Sequence, residues 1–115
     1  HSKPLCSFVV KTIRMVGYNS TVTANNDGGL AVGILASSND ATVINSTINA
    51  LTGSGEVYGV YASNKVAFEG NGESHVSASG DAAAVPVEGT TAVNNSSPKS
   101  QCSSNGGPES DCEEF

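Results

Sequence analysis

Apolar and polar residues alternate in short runs along most of this chain. In "TVTA", Val22 and Ala24 share one side while Thr21 and Thr23 share the other. Leu30, Val32, Ile34 and Ala36 alternate with their neighbours in the same way, as do Ala41 and Val43, then Val66 and Phe68. A period of two marks strands with two faces. The runs are separated by "NNDGG", "SSND" and "INS", and later by "TGSG", "SNK" and "EGNGES". These are turn residues. Gly and β-branched residues interrupt every candidate helix, which argues against a helical solenoid.

The strand pattern repeats. Asn19, Ser20 and Thr21 recur 26 residues later as Asn45, Ser46 and Thr47. At the same offset Val22 becomes Ile48, Ala24 becomes Ala50, and Val32-Gly33-Ile34 becomes Tyr58-Gly59-Val60. A looser third copy, "SHVSASGDAAAV", puts Val76 and Ala78 opposite Ile48 and Ala50, and Val85 opposite Val60. The extra residues of the second copy fall at "GNG", Gly70 to Gly72. Each such unit has an apolar face that it cannot bury alone, and stacking the units makes one continuous core. Three short strands per unit predict an all-β fold, a right-handed parallel β-helix of about three coils. Equivalent residues then stack about 4.8 Å apart. Val22, Ile48 and Val76 form one expected internal column, Ile34, Val60 and Val85 a second, and Val43 and Phe68 begin a third. The alternative is an antiparallel β-sandwich of short strands. Tyr58 and Tyr61 flank Gly59, and strict alternation sends one inward and the other outward.

"GLAVGILASSNDATVINSTINA" and "VYGVYASNKVAFEGNGESHVSAS" resemble the passenger-type β-helix repeats of bacterial autotransporters and related surface proteins of the pectin-lyase-like superfamily. Such units often read as a small residue, Gly-Ile or Gly-Val, a turn, and an alternating Val/Ile strand. The resemblance spans Asn19 to about Val87 and implies a fold, which by itself implies no function. Passengers usually have many more coils, so this chain is expected to be a fragment, a miniature or something outside that family. The expected organisation is an N-terminal cap or half-coil at 1–18, β-helix coils at 19–92, and a polar tail at 93–115. The tail, disulfide-pinned or disordered, is expected to contribute no coil.

Composition sharpens this picture. The chain has 115 residues, enough for one domain. Aromatics are only 5% and Trp is absent, so the core must be filled by small and β-branched residues. The net charge of −6, with no Lys/Arg cluster, argues against nucleic acid. No apolar run approaches the roughly 20 residues of a membrane-spanning helix. "HSKPLC" at the start reads as a mature terminus or a cloning remnant. The three cysteines are Cys6, Cys102 and Cys112. Cys102 and Cys112 bracket a loop that a disulfide closes easily, and Cys6 could instead pair with either. Either bridge implies an oxidising compartment. No CxxC occurs, so no cysteine metal site is expected.

The chemistry-bearing residues point to no reaction. Asp27, Asp40 and Asp81 occupy turns and do not stack, and Arg14 is the sole arginine. The repeated calcium-binding nonapeptide is missing, and no metal or other cofactor is expected. His1 and His75 are the only imidazoles for a copper brace of the polysaccharide-oxidase kind, and nothing in the repeat places them together. Thr21-Val22-Thr23 begins an ice-binding type of threonine ladder, but Thr47-Ile48-Asn49 and His75-Val76-Ser77 do not continue it. Asn19, Asn45, Asn94 and Asn95 head Asn-x-Ser/Thr sequons and are glycosylation candidates in a secretory setting. An outward Tyr61 beside Leu35 of the preceding coil forms an apolar spot, a contact for a partner or a sugar. The expected function is therefore non-enzymatic: a secreted or surface-exposed structural or adhesive module. Its expected partner is a second copy stacked end to end, or a glycan or protein of a host or surface. A polysaccharide-acting β-helix enzyme and an ice-binding protein are the alternatives.

Overall fold

The computed structural model describes residues 8–10, 13–15, 20–36, 40–80 and 83–115, the first two segments as backbone. Its strands are β1 (Phe8–Val10), β2 (Ile13–Met15), β3 (Ser20–Asn26), β4 (Ala31–Ala36), β5 (Ala41–Ile44), β6 (Ser46–Thr52) and β7 (Val57–Ala62). They continue as β8 (Lys65–Glu69), β9 (His75–Ser79), β10 (Ala84–Glu88), β11 (Thr91–Asn94), β12 (Gln101–Ser104) and β13 (Ser110–Asp111), followed by a 3-10 turn at Cys112–Glu114. Every third strand joins the same sheet. Sheet A runs β1-β4-β7-β10, sheet B runs β2-β5-β8-β11, and sheet C runs β3-β6-β9-β12-β13. From β1 to β10 the chain makes three turns, and β11 and β12 carry it onward. All pairing between coils is parallel. The one antiparallel pair among the described strands is β12 with β13. The fold is the expected parallel solenoid and not the antiparallel sandwich.

The columns follow the repeat. Val22 pairs with Ile48, and Ile48 with Val76. Ile48 and Val76 are fully buried, whereas Val22 is half-buried because β3 is the edge of sheet C and is covered from one side only. Val43 pairs with Phe68, both fully buried. The second column needs correction. Ile34 pairs with Val60, but Val60 pairs with Val87, and Val85 lies opposite Tyr58. Pro86 takes the place held by Gly33 and Gly59, at a position that the strand register skips. A residue without an amide hydrogen loses no ladder bond there.

The tail departs most from expectation. Residues 93–115 are part of the solenoid. Val93 and Asn94 belong to β11, which pairs with β8. Gln101 to Ser104 pair in parallel with His75 to Ala78, so Cys102 stacks on Val76 as the next member of the Val22–Ile48–Val76 column. Cys102 is fully buried and bonded to Cys112, which is also fully buried, with their Cα atoms 4.9 Å apart. The disulfide thus fills core volume that an aliphatic residue fills in earlier coils. The 3-10 turn then packs against β11, β13 covers β12, and β10 carries Pro86. All three C-terminal edges are therefore covered or blunted. End-to-end stacking at this end would have to displace the tail.

Two outcomes follow from this packing. Ile48→Ala, at the centre of its column, should cost about 2–5 kcal/mol in urea unfolding through lost transfer energy and a cavity. Replacing both Cys102 and Cys112 with Ala should cost about 2–4 kcal/mol. In the oxidised protein, limited proteolysis should leave 93–115 uncut, and reduction should open that segment first. Early cleavage of the oxidised tail would show that β12 and β13 do not hold it.

Candidate functional site

Gly33 and Gly59 reset the alternation of sheet A. In β4, Ala31 faces inward and Val32 outward, yet Ile34 and Ala36 face inward again and are fully buried. The register of β4 with β7 omits the Gly33–Gly59 level. A Cβ on Gly33 would lie 2.6 Å from the Gly59 carbonyl oxygen and 2.6 Å from Ile48 Cγ2. A Cβ on Gly59 would lie 2.3 Å from Val76 Cγ1 and 2.6 Å from the Pro86 carbonyl oxygen. The glycines leave room for the side chains of sheet C and let two levels share the inward side. Strict alternation from Val32 to Ile34 is thereby overturned, and so is the inward placement of one tyrosine. Tyr58 and Tyr61 both face outward.

The two rings meet edge to face, with centroids 5.0 Å apart and planes at 86°. They form one side of an open groove of about 240 Å³ lined by Leu30, Val32, Leu35, Glu56, Tyr58 and Tyr61. Leu35 and Tyr61 are direct register partners, so the expected apolar spot exists and is larger than expected. Val32 is almost wholly covered, and Leu30, Leu35 and both tyrosines are half-buried. On its other side Tyr61 borders a polar notch with Ala62, Ser63, Glu88, Gly89 and Thr90. The Tyr58 phenol is held above its usual range, first by burial, then by the negative charges of Glu56 and Glu88, with a smaller contribution from Tyr61. Both carboxylates thus act on Tyr58. The residues missed at first were Leu30, Val32, Glu56, Tyr58 and Glu88. The signal lay in "VGIL" and "YGVY", where a glycine puts residues three apart on one outer face.

Of the disulfide candidates, Cys102 and Cys112 are bonded to one another, and Cys6 lies outside the described residues. So do Asn19, Asp81 and His1, while Arg14 is described as backbone only. Asn45 sits in a left-handed conformation, φ 47°, at the corner between β5 and β6. Its buried Oδ1 has no hydrogen-bond partner and packs toward Gly70 and Gly72. Asn95 is exposed. Asn94 must be withdrawn as a glycan acceptor. It is 1% exposed, and its Nδ2 donates to the Ser100 carbonyl at 2.9 Å and to Asp111 Oδ1 at 2.8 Å.

Several of the remaining polar residues have structural partners. Asp27 is exposed in a turn, and the Asp40 carboxylate accepts the Lys65 N–H at 3.0 Å. His75 stands between Glu73, 2.9 Å from Nε2, and Glu109, 3.0 Å from Nδ1, tying β9 to the C-terminal hairpin. On the outer face of sheet C, Thr21 stacks on Thr47, then His75 and Gln101 follow, so the threonine column has two members among the described residues. The next column is Thr23, Asn49, Ser77 and Ser103, with Ser77 Oγ donating to Asn49 Oδ1 at 2.7 Å. Among the described residues, no group of three or more His, Cys, Asp and Glu side chains is placed to hold a metal ion. No helix among them is long and apolar enough to cross a membrane.

Asn94 occupies the level above Phe68 in sheet B, where the core column turns polar. Its Oδ1 accepts Ser96 Oγ–H at 2.9 Å and the Ser100 N–H at 3.2 Å, and Lys99 Nζ donates to its carbonyl. Asp111, its partner, also accepts the Glu113 N–H at 2.9 Å. Its pKa lies below the ordinary 3.8, chiefly through the Glu113 bond and then the Asn94 bond, with Lys99 adding to both and burial opposing them. A depressed carboxyl pKa stabilises the fold above the unfolded value. That stabilisation is lost as pH falls through the lower folded value. Asp111→Asn should therefore lower the urea midpoint at pH 7, and its gap from the parent should narrow below about pH 4. A gap constant from pH 7 to pH 2.5 would remove Asp111 from the cap energetics.

No protein-family model, no curated protein and no solved structure matches this chain.

Proposed function

We propose that the chain is a non-enzymatic module of a secreted or surface-exposed protein, a stiff solenoid that holds its sheet A face for contact with another molecule. The observation that carries this reading is the outward tyrosine pair over Leu30, Val32 and Leu35. Apolar and aromatic residues grouped on one outer face in this way offer a contact site. The buried Cys102–Cys112 disulfide suits an oxidising compartment, as does the likeness to passenger-type repeats. The covered C-terminal end favours side-on adhesion over the end-to-end stacking that the sequence also allowed.

Binding to immobilised glycans and extracellular-matrix proteins tests the proposal. The parent should bind at least one of them. Tyr58→Ser with Tyr61→Ser should reduce that binding tenfold or more, while Thr47→Ser with Gln101→Ser on sheet C should leave it intact. Release of new sugar ends from a polysaccharide would favour the enzyme reading instead. Thermal hysteresis that the sheet C variant abolishes would favour ice binding.

A further inference from the structure

We infer that the sheet A groove receives a basic side chain, lysine or arginine, presented by an extended segment of a protein partner. This rests on the proposal that sheet A is the contact face, and it names the chemistry of the occupant. Three features converge on it. The floor is aliphatic, with Val32 almost wholly covered and Leu30 and Leu35 half-buried. Two aromatic rings stand at 86° to each other on that floor. Glu56 lines the same groove, and Glu88, the register partner of Tyr61, lies on the far side of that ring.

Lysine and arginine carry an apolar stem and a cationic head, and they bury the stem while the head seeks charge. Here the stem would lie along Leu35 and Val32. The head would reach the tyrosine rings and Glu56, with Glu88 adding its negative charge from the far side of Tyr61. Ammonium and guanidinium groups are attracted to tyrosine faces, and more strongly where water is partly excluded. The negative charge on both sides of Tyr61 disfavours an anionic occupant. A neutral sugar can lay its C–H face on the rings, but it brings no positive charge to Glu56. The open groove of about 240 Å³ has room for a long side chain, which an extended segment can present as an anchor. The net charge of −6 would draw any cation toward the protein. A valid test must therefore locate the binding as well as detect it.

The test is a titration of the whole isotope-labelled chain by NMR, using acetyl-Gly-Lys-Gly-Arg-Gly-amide. A control peptide carries acetyl-lysine and citrulline at the two basic positions. The basic peptide should shift the signals of Leu35, Tyr58 and Tyr61, and the control should bind at least tenfold more weakly. Glu56→Gln with Glu88→Gln should weaken the basic peptide at least fivefold. Both side chains are exposed, so the spectrum should otherwise stay folded. Tyr61→Phe should retain binding and Tyr61→Ala should lose it. Equal binding of the two peptides, shifts centred on sheet C, or no shift on sheet A would each overturn the inference. A neutral oligosaccharide that shifts sheet A while the basic peptide does not would overturn it too, yet leave the adhesive reading standing.

Discussion

A coil of this solenoid cannot satisfy its own backbone. Its N–H and C=O groups bond mainly to the coil before and the coil after, so every level depends on its neighbours. The constraint is severe at the corner between sheets B and C, where the direction of the ladder changes. There a serine stands in each coil. The Ser46 N–H donates to Ser74 Oγ at 3.0 Å, and the Ser74 N–H donates to Ser100 Oγ at 2.8 Å. The three are buried, so an unpaired amide at this corner would have no water to turn to. The column ends where Ser100 Oγ meets Ser96 Oγ at 2.7 Å and joins the Asn94 network. The cap is thus continuous with the ladder that it ends.

The repeat made much of the fold legible, because Val22, Ile48 and Val76, and Val43 and Phe68, sit at levels that spacing alone could assign. The insertion at Gly70 to Gly72 was legible for the same reason. It lengthens the corner between β8 and β9 while leaving both strands in register. Two elements were not legible from hydrophobic periodicity. The last coil fills its column with Cys102 and Asn94 in place of aliphatic or aromatic residues, so it read as polar tail. A subtler signal was present: "NST", "NST", "ESH" and "KSQ" carry Ser20, Ser46, Ser74 and Ser100 at the same corner. The other miss was the slip from Val87 to Val85. Pro86 replaces the glycine of earlier coils, and a run of alanines before it matched the pattern two residues too early.

The outer face of sheet A was half legible, and the reason is the same glycine position. A strand read by strict alternation can place Tyr58 or Tyr61 outward, but not both. Once Gly33 and Gly59 yield their inward space to Ile48 and Val76, residues on either side of the glycine fall on one outer face. The core and the surface groove therefore have one cause. Side chains of sheet C that enter the space at the glycines fill the interior and bring the two tyrosines together. A change meant only to fill the core at Gly59 would disturb the outer face as well, since the backbone there would have to move away from Val76 and Pro86.

Such coupling makes the groove preorganised. Tyr58 and Tyr61 stand on β7, braced edge to face, with Leu35 and Val32 of β4 fixed beside them by the pairing of β4 with β7. Neighbouring coils hold that strand from both sides, through β4 and β10. A ligand that fits has little ordering left to impose, so less of the contact energy is spent on it. The outer face of sheet C offers no comparable concentration. Its columns are mostly polar, with Leu51 as an isolated apolar residue, and His75 is already engaged with Glu73 and Glu109. At the C-terminal end, β11 and β12 are covered by the chain's own tail. Among the described residues, the rigid aromatic patch therefore lies on the side of the rod at sheet A, set there by the same glycines that let the core fill.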